Sequence, residues 1–228
     1  MTKKILSLIL FLCIASWAFS QDDCNMYYPL TEGTKFQITT FDKKNKPTST
    51  LDYKVLKVTN TSEGKVGTIH GTVKDKKGKT EAEMEFKVTC KDDKLSVDFE
   101  SLLNPQMLAQ FGEMDYEITG TNIDWPNDLS VGQTLPDANM NMKIGMSGIN
   151  MNMSIDIKNR KVTGKETVTT PAGTFDCLVL SYDTEVNMGM RQKISSKQWV
   201  SKGVGMVKQE DFQNGKSIGI TLLTAFSK

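Results

Sequence analysis

From residue 34 onward, hydrophobic and polar side chains alternate with a period of two along most of the chain. On a strand, residues two apart share a face, so this pattern predicts strands with one buried side. The cleanest run is 81–90. Met84, Phe86, Val88 and Cys90 fall on one face, and Glu83, Glu85, Lys87 and Thr89 on the other, as in a half-buried antiparallel strand. Leu95, Val97 and Phe99 repeat the pattern. Earlier runs at 34–41, 51–59 and 66–73 are separated by clusters of Asp, Lys, Asn and Gly at 42–47, 60–64 and 75–78, the residues that turns favour. Further strands are predicted at 115–121, 139–146, 149–162 and 217–226.

One pair of runs fixes its own register. Met140, Met142, Ile144 and Met146 alternate with Asn139, Asn141 and Lys143; Ile149, Met151, Met153, Ile155 and Ile157 alternate with Asn150, Asn152 and Ser154. With Ser147-Gly148 as a two-residue loop, Met146 faces Ile149, Ile144 faces Met151, Met142 faces Met153 and Met140 faces Ile155. A slip of one residue would put the methionines in water and the asparagines in the core. The Met face is predicted to point into the concavity of the sheet, with Met188 and Met190 as neighbours.

The region 161–210 carries the strongest turn chemistry. At Thr170-Pro171-Ala172-Gly173, proline presets φ and glycine accepts a positive φ, so a tight turn joins 167–169 to 175–180. Cys177 to Leu180 is apolar on both faces, the mark of a central strand covered on both sides. Gly203 and Gly205 allow a reversal or a bulge beside Trp199. One helix is expected near 105–111: Asn104 caps it, Pro105 suits its first turn, Gly112 ends it, and Met107, Leu108 and Phe111 form its apolar stripe.

The run 169–177, Thr-Thr-Pro-Ala-Gly-Thr-Phe-Asp-Cys, is followed about twenty residues on by Trp199-Val200-Ser201-Lys202-Gly203-Val204-Gly205-Met206-Val207-Lys208. Together they resemble the C-terminal signature of the TapB-like family, exported bacterial proteins related to the domain of unknown function DUF3108. Val131-Gly132-Gln133-Thr134-Leu135-Pro136 is similar to it as well. The resemblance implies an antiparallel, partly open barrel and brings no catalytic residues with it. Pattern and resemblance together predict an all-β, mainly antiparallel fold, a curved sheet or half-open β-barrel with one short helix, in a single domain over 21–228.

Residues 1–20 are a different object. Lys3-Lys4, an apolar run over 5–19 and Ala18-Phe19-Ser20 have the three parts of a secretory signal peptide cleaved near Ser20. The apolar run is too short for a span, so the expectation is an exported chain, periplasmic or secreted, with no integral membrane span in its mature form. The 28 basic and 27 acidic residues become 26 and 27 once Lys3 and Lys4 leave with the signal, a net charge of −1. Arg160 and Arg191 are the sole arginines. Nucleic-acid binding, which draws on a basic face and Arg forks, is therefore not expected. Cys24, Cys90 and Cys177 remain after cleavage, enough for one disulfide. Their spacing leaves the pairing open; a Cys24–Cys90 bridge would tie down the N-terminus.

Catalytic signals are weak. His70 is the sole histidine. The stretch Gly145-Met146-Ser147-Gly148-Ile149 lacks the final glycine and the strand-to-helix setting of a nucleophile elbow. One His and scattered Cys give no metal-ligand spacing, Gly203-Val204-Gly205 lacks the context of a nucleotide loop, and Glu81, Glu83 and Glu85 read as a solvated face. No enzyme and no cofactor are expected. The unusual feature is the methionine cluster Met140, Met142, Met151, Met153, Met188 and Met190. Three readings compete: an adaptable core, a pliable lining for an apolar ligand, or thioether ligands for Cu(I). The expected role is a non-catalytic binding protein holding a lipid-like molecule or a protein segment in its concave face. The alternative is a structural or assembly protein of the cell envelope without a small ligand.

Overall fold

A computed structural model describes residues 27–98, 115–146 and 149–228. These residues form thirteen strands: β1 (Lys35–Asp42), β2 (Pro47–Thr61), β3 (Gly64–Asp75), β4 (Thr80–Lys91), β5 (Lys94–Val97), β6 (Asp115–Gly120), β7 (Ile123–Pro126), β8 (Ala138–Met146), β9 (Ile149–Thr170), β10 (Gly173–Asn187), β11 (Arg191–Ser201), β12 (Gly205–Gln213) and β13 (Lys216–Ser227). All lie in one antiparallel, curved and unclosed sheet of order β6-β8-β9-β10-β11-β12-β13-β1-β2-β3-β4-β5-β7. The all-β expectation holds among the described residues. The helix expected near 105–111 and the loop Ser147-Gly148 lie outside them.

The local signals act where they were read. β9 and β10 meet with Thr170 paired to Gly173 across Pro171-Ala172, and Gly173 has φ +138°. β11 and β12 reverse at 202–204, with a bulge at Trp199/Val200. Cys177, Leu178, Val179 and Leu180 are all buried. Leu178 and Leu180 join an inner cluster with Val162 and Val200, while Cys177 and Val179 join Trp199 and Val207 on the outer face. Trp199 is shielded there by its own neighbours. Its Nε1–H donates to Glu166 at 2.8 Å, and the Lys197 and Lys208 ammonium groups stand 4.6 and 4.4 Å from its ring centroid, within cation–π range.

The β8–β9 hairpin has the register its alternation demands: Met146 pairs with Ile149, Ile144 with Met151, Met142 with Met153 and Met140 with Ile155. β9 is longer than its pattern predicted. The expected break between 149–162 and the next run is absent, and one strand of 22 residues passes through both. What stands in place of a break is a bulge. Lys158 pairs with Asp183 and Lys161 with Ser181, so Asn159 and Arg160 together oppose Tyr182, and Asn159 takes φ +58°.

The two sheet edges are consecutive in the chain. β6 ends at Gly120 and β7 begins at Ile123, so the two edges lie within about 11 Å there, the reach of three residue steps. The first half of this bent segment pairs with β8 and the second with β5. It bridges the seam of a rolled sheet without closing the hydrogen-bond ladder. Gly120 is required at the bend, because a Cβ there would collide with the Asn139 carbonyl oxygen.

Inside the roll, Trp125 on β7 packs against two inner clusters. One draws on β2 to β5 through Val55, Ile69, Phe86 and Leu95. The other draws on β9 to β11 through Val162, Leu180 and Val200. The segment 27–30 straddles the same divide, with Leu30 in the first cluster and Tyr27 in the second.

Gly120→Ala is expected to destabilise the protein by about 1–3 kcal/mol through overpacking. The urea midpoint should fall; an unchanged midpoint would show that β6 and β8 do not approach so closely.

Candidate functional site

Between the walls of the rolled sheet lies a cavity of about 220 Å³, partly open to solvent and lined by Tyr27, Tyr28, Trp125, Ile157, Arg160, Leu180, Tyr182, Gln198 and Met206 among others. Its walls come from β5 and β7 on one side and β9 to β12 on the other, strands far apart in sheet order. The cavity exists because the sheet folds over on itself. Most of its lining is apolar or aromatic, the usual chemistry of a small-molecule site.

The polar exceptions are ordered. The Tyr182 hydroxyl donates to Gln209 Oε1 at 3.0 Å, and Gln198 Nε2 donates to the same oxygen at 2.9 Å. Gln209 Nε2 and Ser196 Oγ both donate to Asp211 Oδ1, at 2.9 and 2.7 Å. Burial first, and the Asp211 carboxylate second, push the Tyr182 phenol far above its ordinary value, so it remains a neutral donor. Arg160 is 2% exposed. Its Nη1 donates to the Pro136 carbonyl at 2.7 Å, and its guanidinium carbon lies 5.1 Å from the Trp125 ring centroid. Burial lowers its pKa, an effect offset in part by Tyr182, Asp124 and Asp137; an arginine stays charged regardless.

Sequence reasoning passed over Arg160, Trp125, Tyr182 and Gln198 as site residues. The scarcity of arginine was one signal for Arg160, and it served there to argue against nucleic acid.

The six methionines do not form one site. Ile157 lines the cavity and pairs with Ala138, so strand alternation turns Met140, Met142 and Ile144 to the concave side. There Met140 and Met142 are buried at 1% and 0%, and Met153 is half-buried. Met151, Met188 and Met190 are exposed at 49%, 59% and 75%. β10 stops at Asn187 opposite Ser154, which sets the 188–190 turn beside Met153 along the sheet edge. Met140 also borders a cleft of about 380 Å³ near the seam, with Asp98, Ile118 and Asn122.

His70 lies on β3, with Nε2 3.4 Å from the Thr72 hydroxyl. That is long for an O–H hydrogen bond, and no carboxylate bonds the ring among the described residues. Glu81, Glu83 and Glu85 are exposed. No group of His, Cys, Asp and Glu among the described residues could hold a metal ion, and no described helix is long and apolar enough to cross a membrane. Cys90 is disulfide-bonded and Cys177 is a free, buried thiol, so the partner of Cys90 lies outside the described residues. Burial, with Asp176 and Glu166 adding to it, pushes the Cys177 thiol up to about 11.

The architecture defines a class: a half-open antiparallel barrel rolled around an interior cavity. The DUF3108-like family model matches residues 31–223, and the chain belongs to that family. Two solved structures share the fold. One is a protein from Bacteroides fragilis NCTC 9343 taken to be exported and having a YmcC-like fold. It is 21% identical, with a TM-score of 0.71, covering 90% of this chain and 100% of that one. The other is a protein from Parabacteroides distasonis ATCC 8503 taken to be a lipoprotein, 24% identical, with a TM-score of 0.70, covering 90% of this chain and 99% of that one. No curated protein matches the chain.

Two measurements check the site. Met142→Ala should cost about 2–5 kcal/mol, as a buried truncation does, and Met151→Ala about 0.5 kcal/mol or less; equal losses would contradict the burial of one and exposure of the other. Cys177 should resist a thiol reagent at pH 8 in the native protein, since the thiolate is the reactive form, and should react once the chain is unfolded.

Proposed function

We propose that the chain is an exported, non-catalytic binding protein that holds an apolar ligand inside its rolled sheet. The observation that carries this reading is the interior cavity, walled by Tyr27, Tyr28, Trp125, Ile157, Leu180 and Met206. Apolar surface left around a void loses contacts that a ligand can supply. The signal-like pattern of residues 1–20 supports export with cleavage near Ser20, to the periplasm or beyond, and the names of the two fold relatives point the same way. The mature chain carries no integral span in this reading, and Cys24 is the partner of Cys90.

The weak Thr72–His70 contact, without an orienting acid among the described residues, supports a non-catalytic role, since a triad needs both an activated nucleophile and a positioned base. None of the six methionines lines this cavity; within this reading the deeply buried Met140 and Met142 are core, and the exposed Met151, Met188 and Met190 stand apart from the ligand. The competing role is that of a structural or assembly protein of the cell envelope without a small-molecule ligand.

Native mass spectrometry of protein purified from its own host tests both readings. The expected spectrum is a chain beginning at Gln21, with one disulfide and a bound apolar small molecule. A ligand-free mass with a co-purifying envelope protein would favour assembly, and a retained N-terminus in the membrane fraction would refute export by cleavage.

A further inference from the structure

The bulge in β9 decides where Arg160 points. Counting by twos from Ile157, which lines the cavity, would place Asn159 and Lys161 inside and Arg160 outside. Because Asn159 and Arg160 together oppose the single residue Tyr182, the alternation shifts by one. Arg160 and Val162 then face inward, beside Leu180 and Tyr182. Bulges re-aim side chains in this way, and this one is anchored. Asn159 accepts a left-handed φ of +58°, its Nδ2 donates to Asp183 Oδ2 at 2.9 Å, and its backbone N–H donates to Asp137 Oδ1 at 3.2 Å. The chain thus leaves regular strand geometry to carry a guanidinium into an apolar interior.

Once inside, the charge is only partly answered: Tyr182, Asp124 and Asp137 act on it without a direct ion pair, and Nη1 alone is given a carbonyl partner. Arg160 takes part in no ion pair among the described residues, and its Nη2 is buried with no hydrogen-bond partner. A second polar atom in the same wall, Gln198 Oε1, is also buried and without a partner. A buried charge without a direct ion pair is costly to hold, and a buried donor left open in a native protein calls for a specific explanation.

We infer that Arg160 is the headgroup site of the interior cavity and that the ligand is a small amphiphile with a carboxylate head and a short aliphatic tail. A carboxylate matches the planar fork of a guanidinium and its charge, while Tyr27, Tyr28, Leu180 and Met206 receive the tail. At about 220 Å³ the cavity is below the roughly 300–1,000 Å³ of drug-sized sites, which favours a short chain. Nη2 is sealed from solvent in the present conformation, so a head reaches it as the Trp125 ring over the guanidinium shifts. Trp125 sits on an edge strand held by four residue pairs, from Lys94–Pro126 to Val97–Ile123.

This inference rests on the carrier reading, and calorimetric titration of the mature chain with sodium octanoate and with 1-octanol separates the two. The expected result is that octanoate binds more tightly than octanol. Arg160→Met should weaken octanoate at least about tenfold, leave octanol unchanged, and leave the thermal midpoint equal or higher, since an apolar side chain replaces a buried charge. Equal binding of octanoate and octanol that R160M does not alter would overturn the headgroup site and leave the carrier reading standing. Failure of both probes to bind the wild-type protein would overturn both. Should R160M fail to fold, Arg160→Lys keeps the charge and removes the fork: a loss of octanoate affinity supports the site, and unchanged affinity overturns it.

Discussion

The constraint on which the rest of the structure depends is the junction between β6 and β7. These are the two outer edges of a thirteen-stranded sheet, yet only Thr121 and Asn122 separate them in the chain. A sheet whose first and last strands are tied that closely cannot lie open. It must roll until its edges meet, and the right-handed twist of its strands sets the direction of that roll. The interior clusters, the packing of Trp125 between them, and the cavity all follow. An edge strand normally presents unpaired backbone groups. Here the bent segment gives one half of itself to β8 and the other to β5, and the outer sides of β6 and β7 are the edges that face each other across the seam.

Much of this was legible in the sequence because it is local. The β8–β9 register follows from two alternating runs and a two-residue gap. The turn at Pro171-Ala172 follows from proline and glycine chemistry, and the two-sided burial of Cys177 to Leu180 from the apolar character of both faces. Each depends on residues that are neighbours in the chain. The seam was not legible, since the expected strand at 115–121 ends before Trp125-Pro126, and nothing there marks 123–126 as a second strand paired to the opposite edge. Nor was the fate of the methionines. Alternation placed Met142 and Met151 on the same face, and the register agrees. Yet one is fully buried and the other half exposed, because depth within a face depends on what lies across it.

Arg160 was missed for a more instructive reason. Period-two reading assumes that the phase of a strand is kept from end to end. One extra residue at Asn159 breaks that phase, and the same counting that served Met140 to Met146 assigns Arg160 to solvent. Asn is a residue that tolerates a left-handed backbone, so a trace of the bulge was present, but it is far weaker than the alternation it interrupts. Conflicts between a local rule and the observed fold collect at functional sites, and among the described residues Arg160 is the buried charged side chain at which rule and fold part.

The bulge at Asn159 and the seam are also close together, and their proximity has a mechanical consequence. The bulge presents Arg160, and the seam supplies Trp125, which stacks over it. β9 is paired with β10 on either side of the bulge, and the Arg160 carbonyl accepts from the Leu135 N–H at 2.8 Å, so the Arg160 backbone is held from behind. β7 is an edge strand of four residues, paired on one side only, so Trp125 can be displaced without breaking the central ladder. A group entering from the seam would therefore meet a rigid cation behind a movable aromatic cover. A fully closed barrel would hold both walls equally stiff, and a flat sheet would offer no second wall. The half-open roll provides one of each.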